Sequence, residues 1–103
     1  MRISVSSPGA HLEPADVDRI ERDLEKIDRR LNEHSEVSAT VRVAETPSGG
    51  WHVTLELDYG RNHLIAKADA DDQGQAVRSA REEILRQIND RSRRGHSWFA
   101  KRR

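Results

Sequence analysis

Cysteine is absent from this 103-residue sequence, and aromatic residues make up only 4% of it. Without cysteine the chain forms neither a disulfide framework nor a zinc site with cysteine ligands. No stretch approaches the ~20 consecutive apolar residues that a membrane-spanning helix needs. The N-terminal sequence MRISVSSPGA also lacks the apolar core of a secretory signal. These absences lead us to expect a cytoplasmic protein that contacts no membrane.

Net charge is also absent, because 18 basic residues balance 18 acidic ones. The total charge therefore indicates no class of partner, and only the distribution of charge along the chain is informative. Charged residues make up 35% of the chain and hydrophobic residues 34%, which is polar for a globular domain. The hydrophobic residues are nevertheless regularly spaced, so we predict one small folded domain.

Four segments alternate apolar and polar residues with the period of two that is typical of half-buried strands. They are residues 2–6, 37–45, 51–59 and 63–70. The turn sequences TPSGG and GRN connect the last three segments. Short turns of this kind join neighbouring antiparallel strands, so these three segments are predicted to form a meander.

Two longer segments carry the three-and-four spacing of amphipathic helices. The first is predicted from Pro14 to about His34, with an apolar stripe at Val17, Ile20, Leu24, Ile27 and Leu31. The second is predicted from about Asp72 to Arg91 or slightly beyond, and Gly95 is expected to end it. Its core positions are Ala76, Val77, Ala80, Ile84, Ile88 and, in part, Gln87.

The predicted element order is β-α-β-β-β-α. Because each helix has a single apolar stripe, the two helices cover only one face of the four-stranded sheet. The sequence therefore predicts an α+β fold, a two-layer sandwich with both helices packed on one face, like that of a double-stranded-RNA-binding domain. We assign residues 1–94 to this domain and residues 95–103 to a basic, flexible C-terminal tail.

The charged residues of the first helix are sorted by sign. At about 100° per residue, a basic ridge lies opposite the apolar stripe, and an acidic ridge lies between the two. The basic ridge contains Arg19, Arg22, Lys26, Arg29 and Arg30, and the acidic ridge contains Asp18, Glu21, Glu25 and Asp28. Such a helix either presents a cationic surface to a polyanion or is an ordinary solvated helix with ion pairs such as Glu25–Arg29.

The end of the chain is basic, because no acidic residue follows Asp90. Arginine suits phosphate binding, since its guanidinium is planar, permanently charged and able to make two parallel hydrogen bonds. Trp98 and Phe99 lie among the last basic residues, where they either stack on exposed bases or pack back onto the core.

Nothing in the sequence indicates an enzyme. The five histidines show no metal-ligand spacing, and the chain has no nucleophile elbow and no phosphate-binding glycine loop. We therefore predict no catalytic residue, no metal site and no cofactor.

Four segments follow one another in an order that is typical of one protein family: ISVSSPGAHLEP, LEKIDRRL, LIAKADADDQGQAV and ILRQI. The first looks like the family's opening strand and the turn into its helix. The last matches a Leu-x-Arg-Gln-Leu signature, with Arg86 and Gln87 in place. The chain thus resembles the ribosome hibernation-promoting factor family, also called ribosome-associated inhibitor A, as a short form or an isolated N-terminal domain.

The resemblance implies binding to the small ribosomal subunit through 16S-type rRNA in the mRNA and tRNA channel, and inhibition of translation under stress. We expect a monomer without a small-molecule substrate. The residues expected to contact rRNA are Arg22, Lys26, Arg29, Arg30, Arg78, Arg86, Arg91, Arg93 and Arg94. Trp98 and Phe99 are the expected stacking residues.

The chain departs from the family pattern at Asp23, Glu83 and Asp90, which are acidic where the family is usually basic, and it gains a basic residue at Arg78. We therefore expect either weaker ribosome binding or a greater contribution from the basic residues after Asp90.

The residues also leave two other functions open. One is a protein-interaction module that uses Trp51, Trp98 and Phe99, and the other is a general binder of structured RNA.

Overall fold

The structure, a computed structural model, describes residues 1–8 and 12–101 of the chain, and it describes side chains within residues 1–8 and 12–91. The predicted C-terminal residues Arg93, Arg94, Trp98 and Phe99 are therefore placed only as backbone positions of a helix.

Four strands form a single sheet in the order β1-β2-β3-β4. The strands are β1 (Arg2–Ser6), β2 (Val37–Glu45), β3 (Trp51–Tyr59) and β4 (Asn62–Ala70). β2, β3 and β4 are antiparallel neighbours, which confirms the predicted meander, while β1 pairs in parallel with β2. The alternating pattern predicted three of the four strands with their observed bounds, and β4 begins one residue earlier than expected.

The turn between β3 and β4 depends on a glycine. Tyr59 pairs with Asn62, so the loop has only two residues, Gly60 and Arg61. Gly60 has a φ of +56°, whereas no non-glycine residue among those described has a positive φ. A two-residue hairpin whose first loop residue is a glycine of positive φ matches a type II′ turn, and its twist suits the flanking strands.

The predicted first helix is two helices, α1 (Pro14–Asp23) and α2 (Glu25–Arg30). Pro14 begins α1 as expected, and Asp16 accepts a hydrogen bond from the backbone of Glu13 as part of a capping box. The prediction of one continuous helix to about His34 is wrong, because α2 ends at Arg30.

The interruption at Leu24 has a tertiary cause. The Ile27 N–H bonds to the Leu24 carbonyl at 3.0 Å, a tighter pattern than the α-helical one. The Asp23 carbonyl instead accepts a hydrogen bond from Arg81 Nη1 at 3.1 Å. Arg81 thus satisfies the last carbonyl of α1 from a segment that lies 58 residues later in the chain.

The last helix, α3, spans Gln73–Lys101. The prediction that Gly95 ends it is wrong, because the helix continues through this glycine. A glycine inside a helix costs only about 1 kcal/mol relative to alanine, so it need not be a stop. The division between a domain at residues 1–94 and a tail at residues 95–103 stays a prediction.

The core lies between the helices and one face of the sheet. Its members from the helices and from the α1–α2 junction include Ile20, Leu24, Ile27, Ala76, Val77, Ala80, Ile84 and Ile88. Its strand members include Val41, Val43, Val53, Leu55 and Leu57. The opposite face of the sheet carries mainly polar side chains, so the predicted two-layer α+β sandwich is confirmed. Within the described part of the chain, no helix is long and apolar enough to cross a bilayer.

Candidate nucleic-acid interface

The helices α1 and α2 lie beside α3 and run in the same direction. Three side-chain contacts mark this line, which we call the helix seam: Arg19 with Gln73, Asp23 with Arg81, and Arg30 with Asn89. The three residues of α3 follow one another in the same N- to C-terminal order as the residues of α1 and α2 that they contact, which shows that the helices are parallel. The seam therefore brings the basic ridge of the first helices next to α3.

Asp23 is turned into the seam. Its carboxylate is 20% exposed and lies 4.0 Å from Arg81, whose side chain is 11% exposed. Arg81 also forms an ion pair with Glu82 at 3.0 Å. Asp23, which was expected to weaken the basic surface, is therefore largely buried in the seam. It contacts Arg81 and so helps to join α1 to α3.

Three cations of the basic ridge lie free along the outer side of α1 and α2. Arg22, Lys26 and Arg29 are exposed and form no ion pair with any carboxylate in the described residues. The ion pair Glu25–Arg29, which an ordinary solvated helix would favour, does not form. Their spacing places these three residues, which we call the basic stripe, on one side of the two helices.

Arg78 extends the cationic surface across the seam to α3. A side-chain carbon at Gly74 would lie 3.1 Å from Arg78 Nη1 and 3.7 Å from Arg19 Nε. It would also lie 3.2 Å from Asp72 Oδ2, so the missing side chain of this buried glycine leaves room for two guanidinium groups and one carboxylate. Arg78 is exposed and forms no ion pair within the described residues.

Arg30 and Arg91 each have an amide partner near the C-terminal end of the described part of the domain, Asn89 for Arg30 and Asn62 for Arg91. Arg91 Nη1 donates to Asn62 Oδ1 at 2.9 Å, which ties α3 to the β3–β4 turn. Burial raises the pKa of the Tyr59 hydroxyl above its ordinary value, and the charges of Arg91 and Arg30 offset part of this effect. Two of the predicted contact residues therefore lie near the same tyrosine, although they are far apart in the sequence.

Arg86 has a different environment, because it is paired within its own helix. Its guanidinium bonds to both Glu83 carboxylate oxygens, at 2.6 and 3.1 Å, and to Asp90 at 3.1 Å. Hydrogen bonds from Arg86 and then Gln87 hold the pKa of Glu83 below its usual value. The hydrogen bond to Glu83 likewise raises the pKa of Arg86. Two of the three departures from the family pattern are thus the partners of Arg86.

Sequence reasoning missed the residues that hold the seam together, namely Gln73, Arg81 and Asn89. Arg81 follows Ala80 at the margin of the apolar stripe of α3. This position indicates that Arg81 is partly buried, but it does not indicate which residue Arg81 contacts. The pairing of Arg86 did have a signal, since Glu83 and Asp90 lie three residues before it and four after it.

The open face of the sheet has no comparable stripe. Its histidines pair with aspartates directly opposite on the neighbouring strand, His52 with Asp69 and His63 with Asp58, each at 2.5 Å. The hydrogen bond to Asp58 raises the pKa of His63. No group of three metal-ligating side chains occurs in the part of the chain that is described.

Solved structures share this fold. The N-terminal domain of Protein Y from Thermus thermophilus has a TM-score of 0.76 and 18% sequence identity, over 85% of this chain and 96% of that one. A ribosomal subunit interface protein from Coxiella burnetii has a TM-score of 0.73 and 18% identity, over 89% of this chain and 98% of that one. No protein-family model and no curated protein matches the sequence. The comparisons therefore establish the fold, as the resemblance predicted.

Proposed function

We propose that this protein associates with the ribosome, binding the small subunit through its 16S-type rRNA in the mRNA and tRNA channel. In this position a folded domain excludes mRNA and tRNA and inhibits translation without any catalytic step. The observation that carries the proposal is the surface formed by the basic stripe and Arg78, in a chain without net charge. We propose further that the protein acts as a cytoplasmic monomer.

The energetics of ion pairing favour this surface for phosphate. A cation that already has an intramolecular partner must lose it before it binds a phosphate, whereas Arg22, Lys26, Arg29 and Arg78 have no ion pair to lose among the described residues. Each phosphate that such a residue neutralises releases counterions, which makes binding favourable and strongly dependent on salt. Contacts of this kind read the shape and charge of structured RNA and require no base sequence.

The fold supports the choice of the ribosome over other RNA. The similar protein from Coxiella burnetii is a ribosomal subunit interface protein, and nearly all of its chain is covered. The same fold combined with a cationic helix surface makes association with a ribosomal subunit the best-supported function for this chain. A general binder of structured RNA would use the same surface but would not distinguish the subunit from other RNA.

Co-sedimentation with purified small ribosomal subunits at low and high salt tests the proposal. We expect about one protein per subunit, binding that weakens steeply with salt, and loss of binding when mRNA and tRNA occupy the channel. Absence of binding at low salt would overturn the proposal. Binding that resists salt would instead favour the protein-interaction module, and equal binding to unrelated structured RNA would favour the general RNA binder.

The contribution of the C-terminal basic residues is tested separately. Reversal of Arg91, Arg93 and Arg94 to glutamate is expected to abolish subunit binding while the domain stays folded. Reversal of Arg42, Arg61 and Lys67, which lie on the open sheet face and in the β3–β4 turn, changes the net charge equally and is the control. Equal losses in the two triple variants would show a general charge effect and no defined C-terminal contact.

A further inference from the structure

The environment of Arg86 differs from that of the basic stripe in a way that bears on RNA binding. All three nitrogens of its guanidinium point to carboxylate oxygens: Nε and Nη2 to Glu83 and Nη1 to Asp90. Each of these contacts lies at hydrogen-bonding distance, so every nitrogen of the group already has an acceptor. Together the three side chains carry a formal charge of one negative unit at neutral pH.

Gln87 fixes one carboxylate of this cluster in place. Its side-chain amide donates to Glu83 Oε2 at 3.0 Å and to the backbone carbonyl of Ile65 in β4 at 3.0 Å. Glu83 is therefore held from two sides, by Arg86 and by an amide that is anchored to the edge of the sheet. The acceptor of this bidentate pair therefore has a second donor that fixes its position.

A phosphate that approaches Arg86 meets two obstacles. The edge of the guanidinium formed by Nε and Nη2 is already taken by Glu83, in the bidentate geometry that a phosphate would use. The released carboxylates of Glu83 and Asp90 then remain beside the phosphate and repel it. Arg78, on the same helix, lacks the first obstacle, because no carboxylate is paired with it among the described residues. Glu82, which lies on the same surface as Arg78, is paired with Arg81.

We infer that Glu83 and Asp90 act as an internal substitute for phosphate: they occupy the Arg86 guanidinium, so that Arg86 adds no phosphate contact to the surface formed by the basic stripe and Arg78. This inference rests on the proposed function and deepens it. It removes Arg86 from the contacts expected from the sequence. The acidic departures thus lower the number of phosphates neutralised without abolishing the binding surface.

Neutralising the two carboxylates tests the inference. In a variant with Glu83→Gln and Asp90→Asn, Arg86 is free to contact phosphate, and binding to small ribosomal subunits is expected to tighten. The slope of log affinity against log salt should become steeper by roughly one unit, the contribution of one more phosphate contact.

The matched control removes the same charge elsewhere. Glu21→Gln with Glu25→Gln neutralises two exposed carboxylates of the acidic ridge that have no ion-pair partner among the described residues. This variant should leave the salt slope unchanged. An equal increase in both double variants would overturn the inference, since overall charge would then explain the gain.

A double-mutant cycle decides whether Arg86 is the residue released. Arg86→Gln alone should leave the salt slope of the parent protein unchanged, and it should remove the gain of the variant with Glu83→Gln and Asp90→Asn. If Arg86→Gln alone makes the slope shallower by about one unit, Arg86 already contacts phosphate and the inference is wrong.

NMR titration separates this inference from the proposed function, because it needs no RNA. The pKa of the Glu83 carboxyl should lie below its usual range in the parent and return toward that range in Arg86→Gln. An ordinary Glu83 titration in the parent would overturn the pairing itself. A low Glu83 pKa in a protein that binds no subunits would overturn the proposed function, and with it the role of the pairing in RNA binding.

Discussion

The outer surface of the helices and the open face of the sheet carry similar kinds of charged residues in different arrangements. On the sheet, opposite charges face each other across strands, as in Asp58 and His63. On α1 and α2, cations follow one another along the basic stripe, and the acidic ridge lies on another side of the helices. A chain with no net charge can therefore present a cationic surface because its charges are sorted rather than because they are in excess.

The two periodicities of secondary structure produce this difference. Neighbouring strands place side chains directly opposite one another, so charge complementarity across β3 and β4 forms pairs. A helix repeats a face every three or four residues, so basic residues at this spacing form a continuous stripe. Arg86 is not part of such a stripe, because acidic residues occur at the same spacing around it and pair with it.

The largest expected effect is the difference in lost stability between a substitution in the buried core and one on the open face of the sheet. Ile84→Ala creates a cavity under α3, where the side chain is 0% exposed, and should lower the free energy of unfolding by about 2–5 kcal/mol. Ile65→Ala on the open face, where the side chain is 44% exposed, should cost less than about 1 kcal/mol. Urea denaturation measures both, and similar losses would contradict the assignment of one buried face.

A smaller difference in stability is expected between a substitution of a residue that bonds across the seam and a substitution of an exposed residue beside it. Arg81→Met removes the donor to the Asp23 carbonyl and the partner of its carboxylate, which should cost about 1–3 kcal/mol. Arg78→Met removes an exposed cation that has no ion pair among the described residues, and it should change stability by less than about 0.5 kcal/mol. Thermal or urea denaturation checks both variants, and a neutral Arg81→Met would show that the seam does not depend on this contact.

The smallest effect concerns the paired charges of the open face. The folded-state pKa of His63 is raised by its hydrogen bond to Asp58. The pair therefore stabilises the protein below the unfolded histidine pKa of about 6.5, and this contribution is lost as the pH rises through the higher folded value. NMR titration should show the His63 pKa return toward its ordinary value in Asp58→Asn, and an unchanged value would remove Asp58 as the cause.

The strands were predictable from sequence because their pattern is local. Each strand of the meander alternates without interruption, and short glycine-containing turns mark the end of β2, both ends of β3 and the start of β4. The parallel position of β1 beside β2 was not assigned, because nothing in a five-residue strand specifies its neighbour.

The helix bounds were less predictable than those of the strands, and at one of them a tertiary contact is involved. The apolar spacing continues through Leu24, yet the helix is interrupted there because Arg81 takes the Asp23 carbonyl. At Gly95 the composition indicated an end that the structure does not have. For the site, residue type and period predicted the basic stripe. Acidic residues lie at helical spacing after both Arg86 and Arg78, so the sequence alone did not show that Glu82 pairs with Arg81 and leaves Arg78 without an ion pair among the described residues.

The central claim is that the seam side of the helices, and not the open sheet face, binds the polyanion. The direct measurement compares two double charge reversals for affinity to small ribosomal subunits over a range of salt concentrations. Arg29→Glu with Arg78→Glu should weaken binding by more than about tenfold and make the salt slope shallower by about two units. Arg42→Glu with Lys67→Glu, an equal change of charge on the open face, should leave the slope unchanged. Equal slopes in the two variants, or a larger loss in the second, would contradict the account.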